Sequence, residues 1–271
     1  MVRARRTLAY CDGMDDQSLA GLVEFPDGRK LSRLSVWRTM SGGSYDASAG
    51  LYDRAFADLK VRELEWEFVV ANLKRIADEL GHLPRVLDIG CGNGRMLRQL
   101  LDEGVIAGGA GVDLSEGMLA RARDGNADTE ALRFHKVEGA RFPFADGSFD
   151  VLISFLSFRY LDWIPVCDEI ERLGRWFLMV DMATTVLKEE ERGLYEETKA
   201  RTERLHRERP EFARALRELV NSPGWHEMLK HHPRIPAGKY EEFLTKRFPK
   251  GNWERLYVCY DHSLFTFVTR R

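Results

Sequence analysis

Val86-Leu87-Asp88-Ile89-Gly90-Cys91-Gly92-Asn93-Gly94-Arg95 runs an apolar strand straight into three alternating glycines, and the next short apolar run, Gly111-Val112, ends in Asp113. Glycines at the mouth of a strand let the backbone turn tightly and approach a ligand closely, because no Cβ intrudes. An acid at the tip of the neighbouring strand can accept hydrogen bonds from both hydroxyls of a ribose. The combination specifies a nucleoside-type site at the carboxyl ends of parallel strands.

The flanking sequence alternates strand and helix. Leu64, Val69, Leu73, Ile76 and Leu80 recur at helical spacing within residues 59–80, and Gly81 supplies a stop. Strands are expected at 85–89, 109–113, 132–137, 151–154 and 176–182, the last apolar until Asp181, as a strand covered on both faces should be. Helices are expected at about 95–103 and from the N-cap Ser115 through Arg123, with Glu116 in the first turn where the helix dipole favours an anion. This order argues for an α/β fold, a doubly wound, Rossmann-like, mostly parallel sheet, with its ligand near the switch in strand order.

Residues 188–248 are the least core-like part. Glu189-Glu190-Glu191 opens a charged helix through Arg209, Pro210 starts another to about Asn221, and Ser222-Pro223-Gly224, His231-His232-Pro233 and Pro236 break helix. A connection this long between strands five and six reads as an inserted helical lid. Residues 253–260 and 263–270 read as a final hairpin with Asp261 and His262 at its turn. Residues 1–42 form an N-terminal extension, with a β-hairpin around Pro26-Asp27-Gly28, and Ser41-Gly42-Gly43-Ser44 is a hinge into the domain spanning 43–271. That extension is read as a dimer arm or a flap over the site, and oligomeric state stays open.

The 271 residues, 44% hydrophobic and 31% charged, suit one large globular domain. A net charge of −2 provides no general field for nucleic acid, which argues against such a partner. Cys11, Cys91, Cys167 and Cys259 are scattered with no C-x-x-C pair, so neither a disulfide framework nor a metal site is expected, and a cytoplasmic setting fits. Arg3, Arg5 and Arg6 are followed by Asp12, Asp15 and Asp16 with no apolar stretch between, a poor targeting signal, and no apolar run is long enough to span a membrane.

Charge selects among nucleoside ligands. A dinucleotide site reads G-x-G-x-x-G and seats a pyrophosphate on the following helix. Here the pattern is G-x-G-x-G over Gly90, Gly92 and Gly94, preceded by Asp88, which would repel a pyrophosphate but can pair with an ammonium. S-adenosylmethionine, with a ribose, an ammonium and no phosphate, suits these charges. The segment resembles motif I of the class I S-adenosylmethionine-dependent methyltransferases of small-molecule type, such as those of ubiquinone and menaquinone biosynthesis. Two more blocks carry the resemblance: Glu138-Gly139-Ala140-Arg141-Phe142-Pro143-Phe144-Ala145-Asp146-Gly147-Ser148-Phe149-Asp150, and Tyr45-Asp46-Ala47-Ser48-Ala49-Gly50-Leu51-Tyr52-Asp53-Arg54-Ala55-Phe56. It covers about residues 43–185 well and implies a seven-stranded sheet closed by an antiparallel C-terminal strand.

The resemblance also implies a cofactor site. Asp88 would hold the methionine ammonium, and the backbone of Ile89, Gly90, Cys91 and Gly92 would cradle the amino-acid part. Asp113 would hold the ribose, and Leu114 and Met118 would pack on the adenine. Glu138 would accept from the adenine amine, with the N–H groups of Gly139 and Ala140 at the ring edge. Ser154 would lend a carbonyl near the ammonium, and Tyr45 and Tyr52, seven apart on one helix face, would close over the ligand. Cys91 is read as packing rather than as a nucleophile.

Methyl transfer from a sulfonium rests on holding a nucleophile in line, with water excluded and a base where the acceptor needs one. Catalytic candidates follow strand four: Arg159, able to clamp a carboxylate or to serve as an ordinary pairing arginine, Tyr160, and Asp162, a base or an N-cap. The [DN]-P-P-[YF] motif of enzymes methylating bases and amides is absent, as is the histidine that small-molecule members often carry near Arg159. His226, His231 and His232 lie in the expected lid, and His135 is read as packed. The expectation is transfer to an oxygen or nitrogen of a small molecule in specialised or cofactor biosynthesis. Its rivals are methylation of RNA, peptide or protein, and a cofactor-binding protein without methyl transfer.

Overall fold

The computed structural model describes residues 22–24, 30–32, 49–139, 141–230, 233–259 and 262–271. Strands β1 (Leu22–Glu24) and β2 (Lys30–Ser32) pair antiparallel, in line with the expected hairpin, whose Pro26-Asp27-Gly28 turn lies outside the described residues. The same holds for the hinge at 41–44, for Tyr45 and Ala140, for His231 and His232, and for Asp261.

The domain opens with α1 (Ala49–Ala55), a 3-10 turn at Leu59–Val61, and α2 (Glu63–Leu80). Gly81 caps α2 in the left-handed conformation (φ 74°), which only glycine adopts without strain. Then come β3 (Arg85–Ile89), α3 (Arg95–Asp102), β4 (Gly108–Asp113), α4 (Glu116–Asp124), β5 (Leu132–Lys136), β6 (Val151–Phe155), α5 (Trp163–Leu173) and β7 (Trp176–Thr184). Ser115 caps α4 as expected, accepting from the Met118 N–H at 3.2 Å. Helices α6 (Arg192–Glu208), α7 (Pro210–Val220), α8 (Pro223–Lys230) and α9 (Ala237–Arg247) follow, then β8 (Asn252–Val258) and β9 (His262–Arg270).

Seven strands form one sheet in the order β5-β4-β3-β6-β7-β9-β8. The first five are parallel, while β9 runs antiparallel to both β7 and β8. Strand order reverses between β3 and β6, and the glycine loop leaves β3 at that point. The two-residue strand period distributes side chains to two cores. Leu87, Ile89, Leu152, Phe177 and Met179 join Trp163, Tyr240 and Phe243 on one face, while Val86, Val151, Ile153, Leu178 and Val180 join Val69, Leu73 and Leu97 on the other. Burial on both faces is why these strands read as near-continuous apolar runs.

Two sequence expectations change. Residues 188–248 are not a uniform lid, because α9 buries Tyr240, Phe243 and Leu244 against Trp163 and the sheet. Spacing of i, i+3 and i+4 places those three on one helix face, so α9 is a core helix and only α6 to α8 lie outside the sheet layers. His262 starts β9 instead of sitting in a turn, paired in register with Thr184. Ser222-Pro223-Gly224 does break helix, yet Pro223 begins α8, a first-turn position where a missing N–H costs nothing.

Candidate functional site

A cleft of about 1130 Å³ opens at the carboxyl ends of β3, β4 and β6. Its floor is the glycine loop, where Gly90, Gly92 and Gly94 all have positive φ (78°, 53° and 71°). The N–H groups of Gly90 and Cys91 both donate to the Val112 carbonyl, at 2.8 and 3.1 Å, and folding the loop back this way keeps it against the end of β4. A Cβ at Gly90 would lie 2.5 Å from Ser157 Cβ, and one at Gly94 would lie 2.6 Å from the Phe134 ring. Both conformation and space therefore demand glycine at these two positions.

Asp88, next to last in β3, and Asp113, the last residue of β4, lie near the ends of adjacent parallel strands, and both line the cleft. Asp88 is 2% exposed, and its Oδ1 has no hydrogen-bond partner. Burial, reinforced by the nearby Asp113, pushes its carboxyl up to about 8. Asp113 is also raised by burial, opposed by N–H donors: Ser115 N–H reaches Oδ1 at 2.9 Å and Gly92 N–H reaches Oδ2 at 2.8 Å. Each bonded oxygen keeps a second lone pair for a ligand hydroxyl. Leu114 and Met118 line the same end of the cleft, and Met118 Cε would lie 3.2 Å from a Cβ on Gly92.

Helix α1 is moored over the loop by Asp53. Its carboxylate accepts from the Asn93 amide and pairs with Arg121 at 2.9 Å, while Arg95 donates to the Asp53 carbonyl at 2.8 Å and to the Phe56 carbonyl. This mooring places Tyr52, whose ring packs 4.8 Å from that of Phe56, on the cleft wall.

The opposite rim follows β6. Ser157 Oγ donates to the Ile89 carbonyl at 2.6 Å, which leaves the Ser154 hydroxyl to donate to Ser157 at 2.7 Å. Leu156 between them has a positive φ of 58°, an uncommon conformation for a branched side chain and one that costs about 1–3 kcal/mol. Phe155, Leu156 and Ser157 line the cleft, whereas Ser154 is buried behind them. Cys91 is buried with its thiol raised by burial, as packing requires, and Ile89 is buried beneath the loop.

Other expected residues are not brought together. Glu138 is mostly exposed, paired with Lys136 at 3.0 Å, and outside the cleft lining, as is Gly139. Val137 between them is buried, while Lys136, the last residue of β5, and Glu138 just beyond it are both exposed. Arg159 lines the cleft, but its guanidinium and backbone N–H both bond the buried carboxylate of Asp181, the N–H at 2.7 Å. It is thus a paired arginine more than an open carboxylate clamp. Tyr160 lines the cleft beside it, with its ring 4.8 Å from the Arg159 guanidinium carbon. Asp162 occupies the N-cap position of α5, outside the lining. Of the lid histidines, His226 does not line the cleft, whereas His206 does.

Sequence reasoning missed the far half of the cleft: Arg62 and Glu65 at the start of α2, Phe212, Leu216 and Trp225 from α7 and α8, and Tyr257 of β8. These come from four elements at no fixed spacing, so no local motif announces them. Among the described residues, no cluster of His, Cys, Asp and Glu is placed to hold a metal, and no helix is long and apolar enough to cross a membrane.

A seven-stranded, mostly parallel sheet of this order, with a glycine loop after β3 and an acid closing β4, is a Rossmann-like arrangement shared with solved methyltransferase structures. Residues 86–175, about a third of the chain, match the family described as a methyltransferase domain. Among curated proteins, it is 32% identical over 134 residues to 27-O-demethylrifamycin SV methyltransferase of Amycolatopsis mediterranei, covering 44% of this chain and 48% of that protein. It is 43% identical over 81 residues to demethylmenaquinone methyltransferase of Beutenbergia cavernae, covering 29% and 32%. The chain thus spans about half, or less, of the length of these relatives. In fold it resembles the plantazolicin methyltransferase BamL in complex with a triazolic desmethylPZN analogue and SAH, with TM-score 0.57, 12% identity and coverage of 88% and 95%.

Proposed function

We propose that this protein transfers a methyl group from S-adenosylmethionine to an oxygen or nitrogen of a small molecule, in specialised or cofactor biosynthesis. The observation that carries the reading is the unpartnered Oδ1 of Asp88, buried near the end of β3 and beside the glycine loop. A buried carboxylate oxygen without a donor is costly, and a ligand ammonium removes that cost. When bound, S-adenosylmethionine supplies an activated sulfonium methyl group.

The chain's own residues provide the rest. Asp88 receives the ammonium, and the loop at Gly90 to Gly92 accommodates the amino-acid part. Asp113, pre-oriented by Gly92 and Ser115, accepts from the ribose hydroxyls, and Leu114 and Met118 flank the adenine. Tyr52 on the moored α1 and Phe56 just after it help keep water from the reacting centre. Small-molecule acceptors are favoured by the partly enclosed cleft and by two of the four curated relatives, those named for rifamycin and menaquinone, the other two being named for malonyl-[acyl-carrier protein]. The rival of a nucleic-acid acceptor loses support from α6, where Arg201 and Arg204 both pair with Glu63.

Calorimetric titration tests the site: S-adenosylmethionine and S-adenosylhomocysteine should bind the wild type, and Asp113→Ala should abolish binding. Incubation with methyl-labelled cofactor and a metabolite extract should yield a labelled small product. Tight binding without any labelled product would instead support a cofactor-binding protein that does not transfer methyl groups.

A further inference from the structure

The far half of the cleft holds a second polar group, unconnected to Asp88 and Asp113. Arg62 and Glu65, one helical turn apart at the start of α2, pair at 3.4 Å, and the Glu65 side chain is almost wholly buried. The Arg62 guanidinium carbon sits 4.2 Å from the centroid of the Phe56 ring, and its buried Nε has no hydrogen-bond partner. Burial works against that charge, but Tyr52, Glu65 and Tyr257 around it raise the arginine's proton affinity overall.

Tyr257 lines the same cleft as this pair, and β8 carries a bulge between Arg255 and Tyr257, a feature that re-aims the side chain that follows it. Burial, with Glu65 nearby, pushes the tyrosine phenol upward, so its O–H stays a donor. Around the three polar groups stand Phe56, Leu205, Phe212, Leu216, Val220 and Trp225, all lining the same cleft.

Four of the arginines lining the cleft are already matched: Arg62 by Glu65, Arg95 by Asp53, Arg159 by Asp181 and Arg201 by Glu63, while Arg234 is exposed. An anionic acceptor held at Arg62 would place a second negative charge beside the buried Glu65 carboxylate. An uncharged hydroxyl brings no such charge, and an Arg–Glu pair beside a phenol offers it a donor and an acceptor together.

We propose that Arg62, Glu65 and Tyr257 form the polar anchor of the acceptor subsite, and that the acceptor is a bulky, largely apolar, uncharged molecule held there through a hydroxyl. This rests on the methyl-transfer reading for the word acceptor, but the subsite itself is tested by binding alone.

The test uses the full chain and three matched probes: biphenyl-4-ol, biphenyl-4-carboxylate and 4-methylbiphenyl, titrated with saturating S-adenosylhomocysteine. The hydroxyl probe should bind on the order of tenfold more tightly than either of the others. R62L/E65L, which removes both charges and strands neither, should erase that preference while leaving S-adenosylhomocysteine affinity unchanged. Y257F, a milder change, should reduce the preference by several-fold with an unaltered circular dichroism spectrum. Equal binding of all three probes, tighter binding of the carboxylate, no binding of any probe, or a preference that survives both variants would overturn the proposal. Failure of S-adenosylhomocysteine to bind would overturn the parent reading, and the probe ranking measured without it would still decide this one.

Discussion

Ser157 occupies the space that a side chain on Gly90 would need: a Cβ built at Gly90 falls 2.5 Å from Ser157 Cβ and 2.7 Å from its hydroxyl. That hydroxyl also bonds the Ile89 carbonyl, so the turn after β6 is stitched to the end of β3 through a gap sized for glycine. Gly90→Ala should lose about 1–2 kcal/mol from the left-handed backbone and about 1–3 kcal/mol from overpacking. Thermal unfolding should show the loss, and calorimetry should show S-adenosylmethionine affinity falling with it. An unchanged midpoint and affinity would mean that the loop does not have this geometry.

Asp88 links stability to pH. Its folded carboxyl is held at about 8, far above its usual value near 3.8, so the folded protein without ligand keeps a proton that the unfolded chain gives up. A raised acid of this kind makes stability greatest below pH 4 and lost progressively as pH rises from about 4 to 8. Acid effects at other carboxylates oppose this trend, so the informative comparison is Asp88→Asn, which should flatten the pH dependence above pH 5 relative to wild type. Binding an ammonium requires the ionised form. Affinity for S-adenosylmethionine should therefore rise by up to about tenfold per pH unit between pH 6 and 7.5, with proton release on binding. Calorimetry in two buffers of different ionisation enthalpy measures that release, and none should occur with Asp88→Asn.

Asp113 is held by two backbone N–H groups, so its loss should act on the loop as well as on the ligand. Asp113→Asn keeps the shape but presents one acceptor oxygen in place of two, leaving either the Gly92 or the Ser115 N–H poorly served. A hydrogen bond to a charged group is worth about 1.5–3 kcal/mol, so S-adenosylhomocysteine binding should weaken by about 10- to 100-fold. Hydrogen exchange at the Gly92 or Ser115 amide should quicken in the same variant.

Arg159 separates structure from catalysis. Arg159→Met leaves Asp181 buried without its charge partner and should cost about 3–5 kcal/mol. Arg159→Met combined with Asp181→Asn should recover most of that loss, since no buried charge remains and the amide oxygen still serves a backbone N–H. Methyl transfer that returns in the double variant would establish a positioning role. Transfer that stays absent in a stably folded double variant would give Arg159 a direct part in the reaction.

The half of the site that was legible in the sequence is the half built from one continuous strand-loop-strand unit. Asp88, the three glycines and Asp113 lie within 26 residues, and steric rules tie each residue type to its backbone position. The acceptor half draws Arg62, Trp225 and Tyr257 from elements joined only by the completed sheet, and Tyr257 follows a bulge that leaves no mark in residue type. For Glu138 a motif match gave the neighbourhood, but the side chain lies just past the end of β5, where it is exposed and paired with Lys136. Helix α9 could have been recognised from the one-face spacing of Tyr240, Phe243 and Leu244, yet the prolines before it drew attention to a break and away from the helix that starts there.

Helices α6 to α8 leave the sheet after β7 and return at α9, forming one continuous excursion that contributes Leu205, Phe212 and Trp225 to the cleft and no strand to the sheet. None of α6's side chains is fully buried, so this wall is attached more lightly than the floor it covers. The molecule is in that sense a fixed donor socket beneath an exchangeable cover. On the methyl-transfer reading, substitutions in the cover should change which acceptor fits while leaving the socket intact.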